Sequence, residues 1–176
     1  PTQANNELPL PTYEELAKTQ PSIRLNQLGD SVFEIGEYDK AIAFYQQSMD
    51  SAAARADAFP YYDSKLGLAS VHDRLSEFQK AIEVAEPVVA AFIRSGDSTR
   101  IGRAYAALAG FYGKASMHEK SMDAAQKGFD ILKQYGSLIE RCAAYNQMAF
   151  TYSDQGDWAR ALPLLDTALQ LMEASG

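Results

Sequence analysis

The sequence predicts an all-α fold, a solenoid of four helical hairpins preceded by a short helix. Three observations lead there. The segments GEYDKAIAFYQQS, SEFQKAIEVAEPV, SMHEKSMDAAQKG and GDWARALPLLDTA begin at residues 36, 76, 116 and 156, a spacing of 40 without one insertion. Upstream, Leu28, Leu68, Leu108 and Met148 are each followed by a small residue, Gly29, Ala69, Ala109 and Ala149, and three residues on by Val32, His72, Tyr112 and Tyr152. The apolar spacing is helical and no alternating strand-like run interrupts it. Several position types recurring in phase four times mark a repeat architecture.

The elements follow in order. Residues 1–11 hold three prolines and two asparagines and read as linker. Thr12 and Glu15 form a capping box for a short helix, Tyr13 to Thr19, placed to cover the first repeat. The domain organisation is thus residues 1–21 as linker and capping helix, then repeats at 22–61, 62–101, 102–141 and 142–176. Helices are expected over 22–35 and 38–54, 58–75 and 78–95, 98–115 and 118–135, and 138–155 and 158–174. Pro60 suits a first helical turn, where its missing N–H costs nothing. Pro87 falls inside a helix and is expected to kink it. Gly36 and Gly156 permit the positive φ with which a first helix ends. Gly96 and Gly136 are read as C-terminal glycines between hairpins, with Asp97 and Ser137 as the N-caps that follow.

Packing explains each recurrent position. A leucine followed by a small residue lets two antiparallel helices approach. The aromatic after the turn (Tyr38, Phe78, Trp158, with His118 in the third repeat) is expected to plug the gap between them. An alanine or serine three residues later, Ala41, Ala81, Ser121 or Ala161, sits where the helices cross. Each hairpin leaves an apolar face that only a neighbour can cover.

Composition narrows the function. The chain has 176 residues, 47% of them hydrophobic and 22% charged, with a net charge of −7. That is globular and acidic, so nucleic acid is not an expected partner. No apolar run approaches the ~20 residues of a bilayer span, which points to a soluble segment without a membrane partner. A single cysteine and no targeting segment fit cytoplasm or periplasm, with the cytoplasm favoured. Pro1 stands where a start methionine would, so the reading is of an interaction domain excised from a larger protein.

Catalytic patterns are thin, and the chain is not expected to be an enzyme. Cys142 is the single cysteine, so no internal disulfide and no cysteine-based zinc site forms. It is read as passive, as His72 and His118 are read as packed and hydrogen-bonded. No glycine-rich phosphate loop appears, and no cofactor or metal is predicted.

The repeated leucine–small pair, the turn aromatic and the crossing alanine resemble the tetratricopeptide repeat, over residues 22–176. The 40-residue period adds six residues to the family's 34, which resembles its long-helix subclass. Similar units occur in kinesin light chains, polarity adaptors and bacterial signalling regulators. The resemblance implies a protein- or peptide-binding scaffold whose first helices line a concave groove. Projected onto this sequence, the groove-facing candidates are Asn26, Gln27, Asp30, Arg74, Arg103, Lys114, Asn146, Gln147 and Phe150. The amides Asn26–Gln27 and Asn146–Gln147 occupy matching repeat positions and can hold a peptide backbone. Arg74, Arg103 and Lys114 form an inward basic centre suited to an acidic side chain or a C-terminal carboxylate. The family's chaperone-tail clamp needs lysine and asparagine where Asn26 and Asp30 stand, so that guest is not expected. The alternative reading is a ligand- or peptide-sensing domain of a bacterial transcriptional or signalling regulator. Leu162, Leu165, Leu169 and Met172 give the last helix more apolar residues than one face needs, so the spare face is expected to bury itself by self-association with another copy or against further repeats of the parent protein.

Overall fold

A computed structural model describes residues 20–174 and holds eight α-helices: α1 (Pro21–Glu34), α2 (Tyr38–Ala53), α3 (Ala58–Arg74), α4 (Phe78–Ser95), α5 (Ser98–Lys114), α6 (His118–Tyr135), α7 (Leu138–Asp154) and α8 (Trp158–Glu173). No strand occurs among the described residues. The expected capping box at Thr12 and Glu15 and the short helix Tyr13 to Thr19 lie outside them. The chain divides into two compact units, residues 1–64 and 65–176.

In the first unit α1 packs along α2. Gly29 makes this possible: a β-carbon there would come within 2.6 Å of the Tyr45 ring. Tyr45 is almost fully buried and its hydroxyl donates to Asp30 Oδ1 at 2.8 Å. Burial, seconded by that carboxylate, raises the phenol above the usual tyrosine range. Ala41 is fully buried, as its crossing position requires. The Ser48 hydroxyl donates to the Ser22 carbonyl at 2.6 Å, and the Ser64 hydroxyl at the start of α3 donates to Ser48 Oγ at 2.7 Å.

In the second unit α5 pairs with α6 and α7 with α8, while α4 packs on α5 and α6 on α7. The small residues Ala69, Ala109 and Ala149 and their partners Ala81, Ser121 and Ala161 are all buried. Ser121 tolerates its site because its hydroxyl donates to the Ala109 carbonyl at 2.9 Å. At the α5–α6 contact backbone meets backbone: a β-carbon at Gly128 would lie 3.0 Å from the Ala106 nitrogen and 3.1 Å from the Gly102 oxygen.

Each hairpin turns by one device. Gly36 and Gly156 have φ of 82° and 77°, and Ser76 and Ser116 hold the same left-handed conformation at 62° and 59°. The next amide then donates back to the first helix: Glu37 to Val32, Glu77 to His72, Met117 to Tyr112 and Asp157 to Tyr152, at 2.8–2.9 Å. Between hairpins, Gly96 is left-handed at φ 74°, but Gly136 is not: it is extended, at φ −73° and ψ 151°. Glycine is needed there for space, since a β-carbon would stand 2.6 Å from the Leu132 carbonyl. Asp97 caps α5 by accepting from the Arg100 amide at 2.9 Å, and Ser137 and Glu140 close a capping box on α7.

One further expectation is corrected. Trp158 is more than half exposed and so is the His118 side chain, so neither plugs a gap. Buried small residues at the crossing already bring the helices together there. Helix α4 runs as one continuous element through Pro87, whose ring lies on the exposed side where the carbonyl it leaves unbonded can meet water.

Candidate functional site

First helices divide their residues sharply between two faces. On α5 and α7, Ala104, Leu108, Ala109, Ala144, Met148 and Ala149 are buried, while Arg103, Ala143, Asn146 and Phe150 are exposed. Arg103, Asn146 and Phe150 of this exposed set are among the positions projected as groove-facing. The packing rule therefore selects the accessible face: whatever does not hold hairpins together is left to water.

The nine projected residues fall in both compact units. Asn26, Gln27 and Asp30 lie in the first compact unit, and Arg74, Arg103, Lys114, Asn146, Gln147 and Phe150 in the second. In the first unit two of the three are already engaged. Asn26 Nδ2 donates to Ser64 Oγ at 3.0 Å, and Asp30 accepts from Tyr45. They brace α1 against α3 and α2 rather than standing open. Gln27 is half-buried, with its Oε1 buried and lacking a hydrogen-bond partner.

In the second unit the basic centre changes character. Lys114 Nζ sits 2.5 Å from Asp73 Oδ2, joining the ends of α3 and α5. Asp73 is nine-tenths buried and its Oδ1 has no hydrogen-bond partner. Lys114 is thus spoken for, whereas Arg103 is exposed and has no ion pair among the described residues. Arg74 is exposed at the end of α3. Across from α5, the Gln147 carboxamide lies over Gly110, its Oε1 3.7 Å from where a β-carbon would be, and its Nε2 is buried without a hydrogen-bond partner. Sequence alone could not assign Asp73 to Lys114, because nothing local links residues 41 positions apart.

Other polar groups are structural. His72 Nδ1 lies 2.7 Å from Glu77 Oε2, and Lys80 donates to the other carboxylate oxygen at 2.8 Å. Those bonds, Lys80 first and His72 second, hold the Glu77 carboxyl below its ordinary range and tie down the α3–α4 turn. His118 Nδ1 approaches Asp154 Oδ2 at 3.4 Å. Cys142 is buried, with its thiol directed at the Ala168 carbonyl 3.7 Å away. A hollow of about 390 Å³ between α5 and α6 is lined by Tyr105, Tyr112, Glu119, Lys120 and Asp123. The chain's own Lys120 and Lys127 lie over the Tyr112 and Tyr105 rings, at 5.3 and 5.7 Å. Among the described residues, no three His, Cys, Asp or Glu side chains are placed to hold a metal ion, and no helix is long and apolar enough to cross a membrane.

Two tetratricopeptide repeat family models match the chain, one over residues 24–55 and one over residues 141–175. The chain is a tetratricopeptide repeat protein. Its hairpins are tetratricopeptide units of the α–α superhelix class, and solved structures share the fold. BtubC from P. vanneervenii superposes with a TM-score of 0.71 at 18% identity, over 96% of this chain and 68% of that one. The TPR-like repeats of a kinesin light chain from Podosopora anserina give 0.69 at 18%, over 89% and 77%. The signal-transduction ATPase with numerous domains from Pyrococcus horikoshii, which has a tetratricopeptide repeat sensor, gives 0.65 at 24%, over 92% of this chain and 26% of that one. No curated protein matches the sequence.

Proposed function

We propose that this tetratricopeptide repeat protein is a docking scaffold, and that its second compact unit holds a peptide segment of a partner protein along the exposed face of α5 and α7. The observation that carries the reading is the solvent-facing set Arg103, Asn146 and Phe150 beside the glycine-floored Gln147 carboxamide. Each supplies a different recognition chemistry. Arg103 offers a planar, charge-assisted pair to a carboxylate. Asn146 and Gln147 offer a donor and an acceptor to a peptide group. Phe150 offers an apolar platform, and Gly110 lets a backbone come close. The guest is therefore an extended segment bearing an acidic side chain or a C-terminal carboxylate.

Selection of a displayed random-peptide library on the intact chain tests this. Enriched sequences should carry Asp, Glu or a free C-terminus. Their affinity should fall at least tenfold with Arg103→Glu and lose most of its salt dependence. Binders indifferent to Arg103→Glu, Asn146→Ala and Phe150→Ala would remove the reading.

The sensing alternative draws on one observation, the Lys114–Asp73 pair. A guest carboxylate that captured Lys114 would release Asp73 and uncouple α3 from α5, a change a regulator could read.

A further inference from the structure

Lys120 departs from a pattern that the other hairpins keep. In each of them the basic residue at this repeat position pairs with an acid three residues earlier: Lys40 with Glu37, Lys80 with Glu77 and Arg160 with Asp157. In the third hairpin Met117 stands where that acid would be. Lys120 is exposed and has no ion pair among the described residues. Its ammonium lies instead over the Tyr112 ring, 5.3 Å from the centroid.

That ring lines the hollow between α5 and α6, together with the Tyr105 ring and the buried side chains of Leu108 and Ala124. A volume of about 390 Å³ is that of a small-molecule site. The second ring is likewise under an ammonium: Lys127 Nζ stands 5.7 Å from the Tyr105 centroid and donates to Asp123 Oδ2 at 2.6 Å. Both tyrosines therefore already attract cations, as the negative face of an aromatic ring does. The charges around them agree in sign. Glu119 and Asp123 line the hollow, and Glu86 joins it through the Tyr112 hydroxyl, so three carboxylates stand against the two ammonium groups.

The two lysines differ in how firmly they are held. Lys127 is fixed by Asp123, whereas Lys120 has no acid to hold it and can turn into water at small cost. When it does, the Tyr112 face is open and the surroundings become more acidic by one charge.

The chemistry of the guest follows from the acceptors that remain. Glu86 Oε1 accepts from the Tyr112 hydroxyl at 2.6 Å, and Asp123 accepts from Lys127. A guanidinium brings five N–H donors and a primary ammonium three, and each needs an acceptor. A quaternary ammonium brings none. Its methyl groups spread the charge over an apolar skin that suits the two rings, Leu108 and Ala124.

We propose that the α5–α6 hollow is a binding site for a small quaternary ammonium compound, and that Lys120 is a displaceable occupant of the cation position over Tyr112. The site shares no residue with the α5–α7 face and does not depend on the peptide-docking reading.

The probe is choline chloride, titrated into the intact chain at constant ionic strength and followed by NMR of the tyrosine ring signals. The shifts of Tyr105 and Tyr112 should saturate. Lys120→Met should tighten binding at least threefold, because the variant loses the competing cation; a lysine with a purely structural role would give no such gain. Tyr112→Leu should abolish binding, while Tyr112→Phe, which keeps the ring and gives up the bond to Glu86, should retain it. Tyr105→Leu serves if Tyr112→Leu perturbs folding. The uncharged carbon analogue 3,3-dimethylbutan-1-ol should bind at least threefold more weakly than choline, since it has the shape without the charge. Absence of saturable binding overturns the proposal. Equal affinity for the uncharged analogue overturns it too, as does a Lys120→Met chain that binds choline no better than the parent.

Discussion

Lys114 Nζ and Asp73 Oδ2 meet at 2.5 Å across 41 residues of sequence, one side chain 41% exposed and the other 10%. The asymmetry predicts asymmetric mutants. Lys114→Met leaves a buried carboxylate without its cation and should cost more than Asp73→Asn, which leaves an exposed ammonium free to hydrate. A double-mutant cycle by urea denaturation should give a coupling of about 0.5–1 kcal/mol that shrinks in molar salt. Equal single costs with no coupling would show that the pair holds nothing together.

Crossing residues should be intolerant of bulk while their neighbours are not. Ala41→Leu and Ala161→Leu enter fully buried sites and should each cost about 1–3 kcal/mol through overpacking. Ala143→Leu points into water on α7 and should stay within about 0.5 kcal/mol. Thermal melts of the three variants check this, and equal losses would mean that the two faces of α7 are misassigned.

The four hairpin turns offer a comparison within one molecule. A β-carbon at Gly36 or Gly156 would have no atom within 4 Å, so alanine there pays only for its left-handed backbone. Gly36→Ala and Gly156→Ala should each cost about 1 kcal/mol. Ser76→Gly and Ser116→Gly, at φ of 62° and 59°, should relieve strain and stabilise by a fraction of that. Unfolding free energies that moved the opposite way at the serine sites would contradict the account.

Asp97 gives the fold an acid-sensitive element. Its carboxyl is held below the ordinary aspartate range, first by the hydrogen bond from the Arg100 amide, with further help from the Arg100 side chain. A carboxyl whose folded pKa is depressed contributes stability above its unfolded pKa, ~3.9, and loses it as pH falls through the folded value. Asp97→Asn keeps a cap acceptor but removes the titration, so below pH ~4 its stability should fall less than wild type's. Asp97→Ala should cost about 1 kcal/mol at neutral pH. Denaturant titrations from neutral to acid pH measure both.

Helix limits were legible in the sequence because each is marked twice, by the 40-residue period and by a local stop. The eight expected helices agree with the observed ones to within one residue at either end. The period works where packing is repetitive and fails where one residue meets a particular partner. Gly136 follows its helix as Gly96 does, yet it is extended and its task is to clear the Leu132 carbonyl. Asn26 was read as a groove amide because its repeat position is one, yet Ser64 lies within reach and takes its hydrogen bond. Lys114 was read as an open cation because pairing with Asp73 depends on how two helices stand side by side. Hydrophobic pattern determines which face is wet. It does not determine which wet side chains find one another.

Gly128 resting on the backbone of α5 also sets an order of events. The residues it joins, Gly102 and Ala106, lie only about one hairpin earlier in the chain, so bringing them together closes a short loop at small entropic cost. Contacts this local and this tight form early on a folding route, which makes the α5–α6 hairpin the natural nucleus of the second unit. Leu132, whose side chain a β-carbon on Gly102 would strike at 2.7 Å, should then carry a high φ-value, and Leu165 on α8 a low one. Slow refolding would be seen in chains altered at Gly128, and fast unfolding in chains altered along α8.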